Sequence, residues 1–159
     1  TSTSPSEQGE YRKMMNLDEI KEIIPHREPF ILLTRVLENE PGRHTIAEWD
    51  LTGQEYFFQG HFPGYPVVPG VLIAESIAQT GAVAILSDER FRGKLAMFGG
   101  IDKVRFRQQV RPGDTLRLEI TIDRISHMAG RGRGTAMVNG KEACAAEILF
   151  VLQDRPAEA

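Results

Sequence analysis

Glu75 is the one charged residue in the apolar stretch 71–86, VLIAESIAQTGAVAIL, and His61 stands fourteen positions before it in GHFPGYPVVPG. A carboxyl taken into an apolar setting is costly unless something compensates it or uses it. Desolvation raises its pKa, so it holds a proton that it can donate. Imidazole takes up a proton near neutral pH. Pro63, Pro66 and Pro69 stiffen the segment between the two. A loop of that length can fold back over the start of the helix that follows. The first amides of that helix, at Gly70 and Val71, have no intrahelical partner and can polarise a carbonyl or hold an enolate-like charge. Base, acid and oxyanion donors are the parts needed to eliminate water from a 3-hydroxy thioester. The base removes a proton from C2, the amides take up charge on the thioester oxygen, and the acid protonates the departing hydroxyl. The same parts in reverse hydrate the alkene. Spacing alone leaves the plainer alternatives open, a glutamate that faces solvent or an ion pair and a histidine that is structural. The flanking residues leave little room for a solvated face. Gln79 falls one turn after Glu75 on the same side, within reach of its carboxyl.

The elements that must position these groups follow from pattern. Asn16 suits a helix N-cap, with Asp18 and Glu19 in the first turn and Pro25 at the end. FILLTRVLENE is expected to be a strand covered on both faces, PG at 41–42 a turn, and RHTIAEWDL the returning strand. GQEYFFQG is expected to turn into His61. The long helix is expected from about Gly70 to Ser87. After it come KLAMFGGIDKVRFRQQV, the turn RPGD, and TLRLEITIDRIS. In the last, Leu116, Leu118, Ile120 and Ile122 alternate with polar residues, the pattern of a half-buried antiparallel strand. GRGRG is expected to be a mobile turn. Asn139–Gly140 is a hairpin signal before the final strand, KEACAAEILFVLQ. A helix apolar nearly all round must be wrapped, and the later strands are the sheet to wrap it. The organisation is α+β: one domain over 14–153, a disordered N-terminal tail at 1–13 and a short C-terminal tail at 154–159.

Composition narrows the classes. The chain has 159 residues, 41% of them hydrophobic, enough for one core. A net charge of −3 argues against a nucleic-acid binder. No apolar run is long enough to span a membrane, and residues 1–13 lack an apolar signal core. Cys144 is the single cysteine, so no intrachain disulfide forms; it is expected to be a small packed side chain. The four histidines lack the spacing of a metal site, and GRGRG lacks the strand–loop–helix setting of a phosphate loop. No metal and no cofactor are expected. His44 and His127 are expected to be ordinary strand residues.

GHFPGYPVVPGVLIAESIAQ closely resembles the active-site segment of the FabZ-type 3-hydroxyacyl-acyl-carrier-protein dehydratases. IPHREPFILLTRV, FGGIDKVRFRQQVRPGDTLRLE and GKEACAAEILF are similar to other segments of that family, so the resemblance runs from about Leu17 to Phe150. It implies a hotdog fold, an antiparallel sheet wrapped around one long helix. It implies a homodimer with active sites at the subunit interface, commonly a trimer of dimers. His61 matches the family's catalytic histidine, and Glu75 its catalytic glutamate, contributed by the partner subunit. Gly70 matches the residue whose N–H meets the thioester carbonyl. The Val67 carbonyl would orient the imidazole. Related FabA-type enzymes, which also isomerise the double bond, carry Asp where this chain has Glu75. His26, in PHREPF, is a second catalytic candidate that the resemblance turns into a structural residue between helix and strand.

The activity implied is reversible dehydration of (3R)-3-hydroxyacyl-acyl-carrier protein to the trans-2-enoyl form in type II fatty-acid biosynthesis. The compartment would be the cytoplasm, or an organellar stroma if the N-terminal tail is what remains of a transit segment. The partner is a carrier protein with a phosphopantetheine-linked acyl chain. Such carriers are acidic, so Lys103, Arg105, Arg107 and Arg111 are candidate docking residues, with a solvated strand edge as the alternative. Two other functions stay in play: a hotdog thioesterase, for which the HFPG histidine has no necessary part, and a non-catalytic acyl-binding subunit.

Overall fold

The computed structural model describes residues 14–156. The expected tail at 1–13 lies outside the described residues, as does 157–159 of the C-terminal one. Helix α1, Leu17–Ile23, starts in a reciprocal capping box. Asn16 Oδ1 accepts from the Glu19 N–H at 2.9 Å, and Glu19 Oε1 accepts from the Asn16 N–H at 3.1 Å. Ile24, the residue before Pro25, is extended and ends the helix. Arg27 then donates to the carbonyls of Lys21 (3.0 Å), Ile24 (3.0 Å) and His26 (2.6 Å), tying down the turn that carries His26.

Strand β1 is Arg35–Glu40, shorter than the run FILLTRVLENE led one to expect. The missing part has a specific cause. Gln79 Oε1 accepts from the Leu32 N–H at 2.7 Å, and Gln79 Nε2 donates to the Phe30 carbonyl at 2.9 Å. A helix side chain has taken the bonds that a neighbouring strand would use. Nor is β1 covered on both faces: it is an edge strand, with Val36 buried and Glu38 exposed.

Strands β2 (His44–Asp50), β3 (Lys94–Phe106), β4 (Thr115–Ile125), β5 (Ala129–Val138) and β6 (Lys141–Asp154) complete a six-stranded sheet of order β1-β2-β4-β5-β6-β3, antiparallel throughout. β6 includes Asp154, so the sheet runs one residue into the tail expected at 154–159. Asn139 and Gly140, both at positive φ, make the β5–β6 turn. Helix α2, Gly70–Leu86, lies across one face of this sheet. Leu116, Leu118, Ile120 and Ile122 do point inward as their alternation predicted. From Ile73 to Leu86 every α2 residue is buried except Glu75. This is the hotdog arrangement. Among the described residues, no helix is long and apolar enough to cross a membrane.

GRGRG is not a mobile turn. It lies inside β5, with Gly130, Gly132 and Gly134 inward and Arg131 and Arg133 outward. Gly130 and Gly134 are there because α2 comes so close, whereas a Cβ at Gly132 would meet β4, at Ile122 Cδ1 and the Thr121 carbonyl. A Cβ at Gly134 would stand 2.3 Å from Ile77 Cγ2, and one at Gly130 would be 3.1 Å from Ile85 Cδ1. A second difference concerns His127, which lies in the β4–β5 connection and not in a strand.

Candidate active site

The segment that holds His61 is folded by its own backbone. A short 3-10 helix, Tyr56–Gln59, leads in, and the His61 N–H donates to the Phe57 carbonyl at 3.1 Å. Phe62 and Tyr65 exchange backbone bonds at 3.2 and 2.8 Å across Pro63–Gly64, with Gly64 at φ +78°. That turn requires a residue free to adopt positive φ, and proline before it presets the chain. The Val67 N–H returns to the His61 carbonyl at 2.9 Å, and the Val68 N–H anchors the segment to the Val110 carbonyl at 2.8 Å. The ring is placed by the same loop: His61 Nδ1 donates to the Val67 carbonyl at 2.9 Å. A neutral imidazole with its proton on Nδ1 keeps a free lone pair on Nε2.

Two residues later Pro69 opens α2 as its N-cap. Gly70 and Val71 supply the first helix amides, and the Phe106 ring lies against Gly70 so closely that a Cβ there would stand 2.9 Å from Phe106 Cε1. Glycine is therefore required for that approach. Phe106 had no place in the sequence argument. Nothing in local pattern marks it, because it arrives from β3, far along the chain.

Glu75 lies on the first turns of the same helix, half-buried. Burial pushes its carboxyl above the ordinary carboxylate range, opposed by a hydrogen bond from Gln79. That bond, from Gln79 Nε2 to Glu75 Oε2, is 3.1 Å long. The second neighbour is His26, whose Nε2 lies 3.7 Å from the same oxygen. Burial, and then the charge of Arg27, hold the His26 ring below the usual histidine range, so the pair is a neutral imidazole beside a carboxyl and not a salt bridge. The geometry thus gives His26 a neighbour that its place in the sequence did not suggest. Among the described residues, no hydrogen bond or ion pair joins His61 to Glu75 within one chain.

The four basic residues do not form one patch. Lys103 and Arg105 line a shallow hollow of about 650 Å³ on the outer face of the sheet, together with Glu119, Glu142 and Glu147. Lys103 lies 3.5 Å from Glu147, and Arg107 pairs with Glu142 at 3.1 Å. Arg111 turns instead to the His61 loop. It stacks over the Tyr65 ring at 4.2 Å, and the Tyr65 hydroxyl donates to Gln109 at 2.8 Å. Of the four, Lys103 and Arg107 make ion pairs within the described residues, and Arg105 and Arg111 do not. No cluster of side chains suited to a metal ion occurs among the described residues.

A family model described as the FabA-like domain matches residues 24–147. The chain is 52% identical over 141 residues to the 3-hydroxyacyl-[acyl-carrier-protein] dehydratase FabZ of Staphylococcus carnosus, covering 89% of this chain and 97% of that one. It is 54% identical to the protein of the same name from Bacillus cereus, covering 89% and 99%. Among solved structures it is similar to the dehydratase heterocomplex ApeI:P from Xenorhabdus doucetiae, with a TM-score of 0.72 at 17% identity over 86% of this chain and 91% of that one. A second, Cj0977 of Campylobacter jejuni, gives a TM-score of 0.63 at 15% identity over 90% and 94%. At those identities the structures speak for the fold alone.

Proposed function

The chain belongs to the FabA-like domain family, and from that premise we propose that it is a hydro-lyase acting on 3-hydroxyacyl thioesters of acyl-carrier protein in fatty-acid biosynthesis. The reaction is removal of water from the (3R)-3-hydroxyacyl chain to give the trans-2-enoyl chain, and its reverse. His61 Nε2 takes the proton from C2, its tautomer set by the bond from Nδ1 to the Val67 carbonyl. The Gly70 N–H, at the start of α2, donates to the thioester oxygen as charge develops on it. Glu75, kept protonated by burial, gives its proton to the departing hydroxyl. Atoms balance without a cofactor: one proton leaves C2, one arrives at the hydroxyl, and water departs.

The observation that carries the reading is the pairing, on one loop–helix unit, of an imidazole with a free Nε2 and a half-buried carboxyl raised in pKa. The two do not touch within one chain, which favours a dimer in which each site draws them from different subunits. Strand β3 supports the same assembly. It is a sheet edge, with Met97, Phe98, Ile101 and Phe106 exposed, and apolar edges invite pairing with another copy. A trimer of such dimers is the proposed full assembly. The cytoplasm is the proposed compartment, and the free thiol of Cys144 fits a reducing one.

A turnover assay tests the function. The protein is offered a 3-hydroxyacyl carrier-protein thioester, with His61→Ala and Glu75→Gln beside it, and enoyl-thioester formation is followed. Conversion lost in both variants is the expected result. Release of free thiol instead would indicate a thioesterase, and absence of any reaction by the folded oligomer an acyl-binding subunit. Carrier docking is read separately. Charge reversal at Lys103 and Arg105 is expected to weaken turnover of the carrier-linked substrate more than that of a small thioester analogue. Equal loss on both would remove these two residues from the docking face, and Arg107 and Arg111 are reversed in a second variant read the same way.

A further inference from the structure

We propose that His26 is a positioning residue for Glu75: its ring and the Gln79 amide together hold Oε2, so that the carboxyl works through Oε1. The inference rests on the reading of Glu75 as the acid. Both neighbours fall on the same oxygen, Gln79 Nε2 at 3.1 Å and His26 Nε2 at 3.7 Å. Neither position is accidental. Gln79 Oε1 is committed to the Leu32 N–H, which leaves only the amide's N–H side for Glu75. His26 is fixed by Arg27, whose guanidinium bonds the Lys21 carbonyl of α1 and the Ile24 and His26 carbonyls of the connection after it.

The tautomer of His26 follows from its other nitrogen. Nδ1 is buried and has no hydrogen-bond partner. A proton there would be a buried donor left unsatisfied, which is worse than an unsatisfied acceptor. The proton therefore sits on Nε2 and points at the carboxyl. At 3.7 Å the contact is longer than a hydrogen bond, so it acts as an oriented dipole that can close when the carboxylate forms. The Gln79 N–H bonds one oxygen, the His26 N–H points at the same one, and the other is left for the reacting hydroxyl.

No charged group competes at this spot. Lys21 of α1 pairs with Glu28 of the α1–β1 connection at 2.7 Å, and Arg27 faces carbonyls. On the strands packed against α2, Arg35 is engaged with Glu48 and Asp50, His44 with Glu119, and Lys103 with Glu147. The inward residues of β4 and β5 are apolar or glycine.

The test compares His26→Phe, His26→Gln and Glu75→Gln in the full chain, measuring kcat and KM against pH. The Phe variant keeps a buried ring and removes the N–H. It is expected to lower kcat about 10-fold with KM changed less than about 2-fold. It should also move the basic limb of the profile to higher pH by about half a unit, because the carboxylate loses a donor. The Gln variant restores an N–H and should recover both. A Phe profile that coincides with that of the parent, or a Gln variant no better than Phe, would overturn the proposal and leave His26 as packing. If Phe is not accommodated, His26→Met serves in its place. Glu75→Gln separates the two levels: activity retained there sinks the acid assignment itself, whereas activity lost there with a parental His26→Phe profile sinks only the role of His26.

Discussion

Replacing Gly134 with alanine places one methyl group between β5 and α2, and the consequence can be worked from distances. The new Cβ would stand 2.3 Å from Ile77 Cγ2 and 3.1 Å from the Glu119 carbonyl oxygen. Carbon pairs rest at about 3.7 Å, so about 1.4 Å must be found. Ile77 cannot turn away. It is fully buried, and a β-branched side chain in a helix has one strongly preferred rotamer. The helix itself has to shift, and Glu75 rides on it two residues earlier. Overpacking of this kind costs about 1–3 kcal/mol. Removing a strand glycine returns about 0.5–1 kcal/mol through the unfolded chain. At the middle of each range the net loss is about 1.3 kcal/mol, or about 3–5 °C in Tm for a chain of this size. Thermal unfolding of Gly134→Ala measures it. Gly60→Ala is the control, since a Cβ there meets nothing within 4 Å, and it should change stability by less than about 0.5 kcal/mol. The pair Gly134→Ala with Ile77→Ala should be less destabilised than the sum of the single changes, because the second removes the methyl that the first strikes. A Gly134→Ala protein that melts with the parent would refute the argument that close helix approach explains Gly134 and, by the same logic, Gly130.

Glu75→Gln should lose turnover and yet stabilise the fold at neutral pH. Burial raises the folded pKa of this carboxyl above its unfolded value, so the folded chain binds the proton more tightly and stability falls as pH rises through that window. The variant should be the more stable protein at about pH 8, with the gap closing below about pH 4; no gap at the higher pH would contradict a desolvated carboxyl. Gly70→Ala should cut kcat/KM about 10-fold or more with a stability change under about 1 kcal/mol. The reason is that its Cβ would stand 2.9 Å from the Phe106 ring, so ring or helix start must shift beside the amide that meets the thioester; a parental kcat/KM would count against an oxyanion role. The Cys144 thiol, pushed up to about 11 chiefly by burial and further by Glu142, should resist alkylation in the native protein at about pH 8 and react promptly in denaturant. Rapid labelling of the native chain would show that β6 is not buried as described.

Much of the architecture was written in local pattern. The capping box at Asn16, the alternation in β4, the Asn139–Gly140 turn and the apolar helix beginning at Gly70 are all decided by residues within a few positions of each other. Two misreadings had one cause. Residues 30–34 looked like strand because they are apolar, but a glutamine 47 positions away claims the backbone at Leu32. GRGRG looked like a loop because glycines usually are, but α2 presses on that strand. His26 does lie in the turn between helix and strand, and only its contact with Glu75, remote in the chain, was out of reach of local pattern.

The division falls along the range of the interactions. Residue types and their short-range spacing specified the helix and strand periods, the turn chemistry, and the presence of an imidazole and a carboxyl on one loop–helix unit. Only the folded chain decided which nitrogen of His61 carries the proton, which oxygen of Glu75 is held, and which glycines make room for the helix. Those depend on contacts between segments tens of residues apart. A neutral ring chooses its tautomer, and a carboxyl its pKa, from whatever packing brings within a few ångströms.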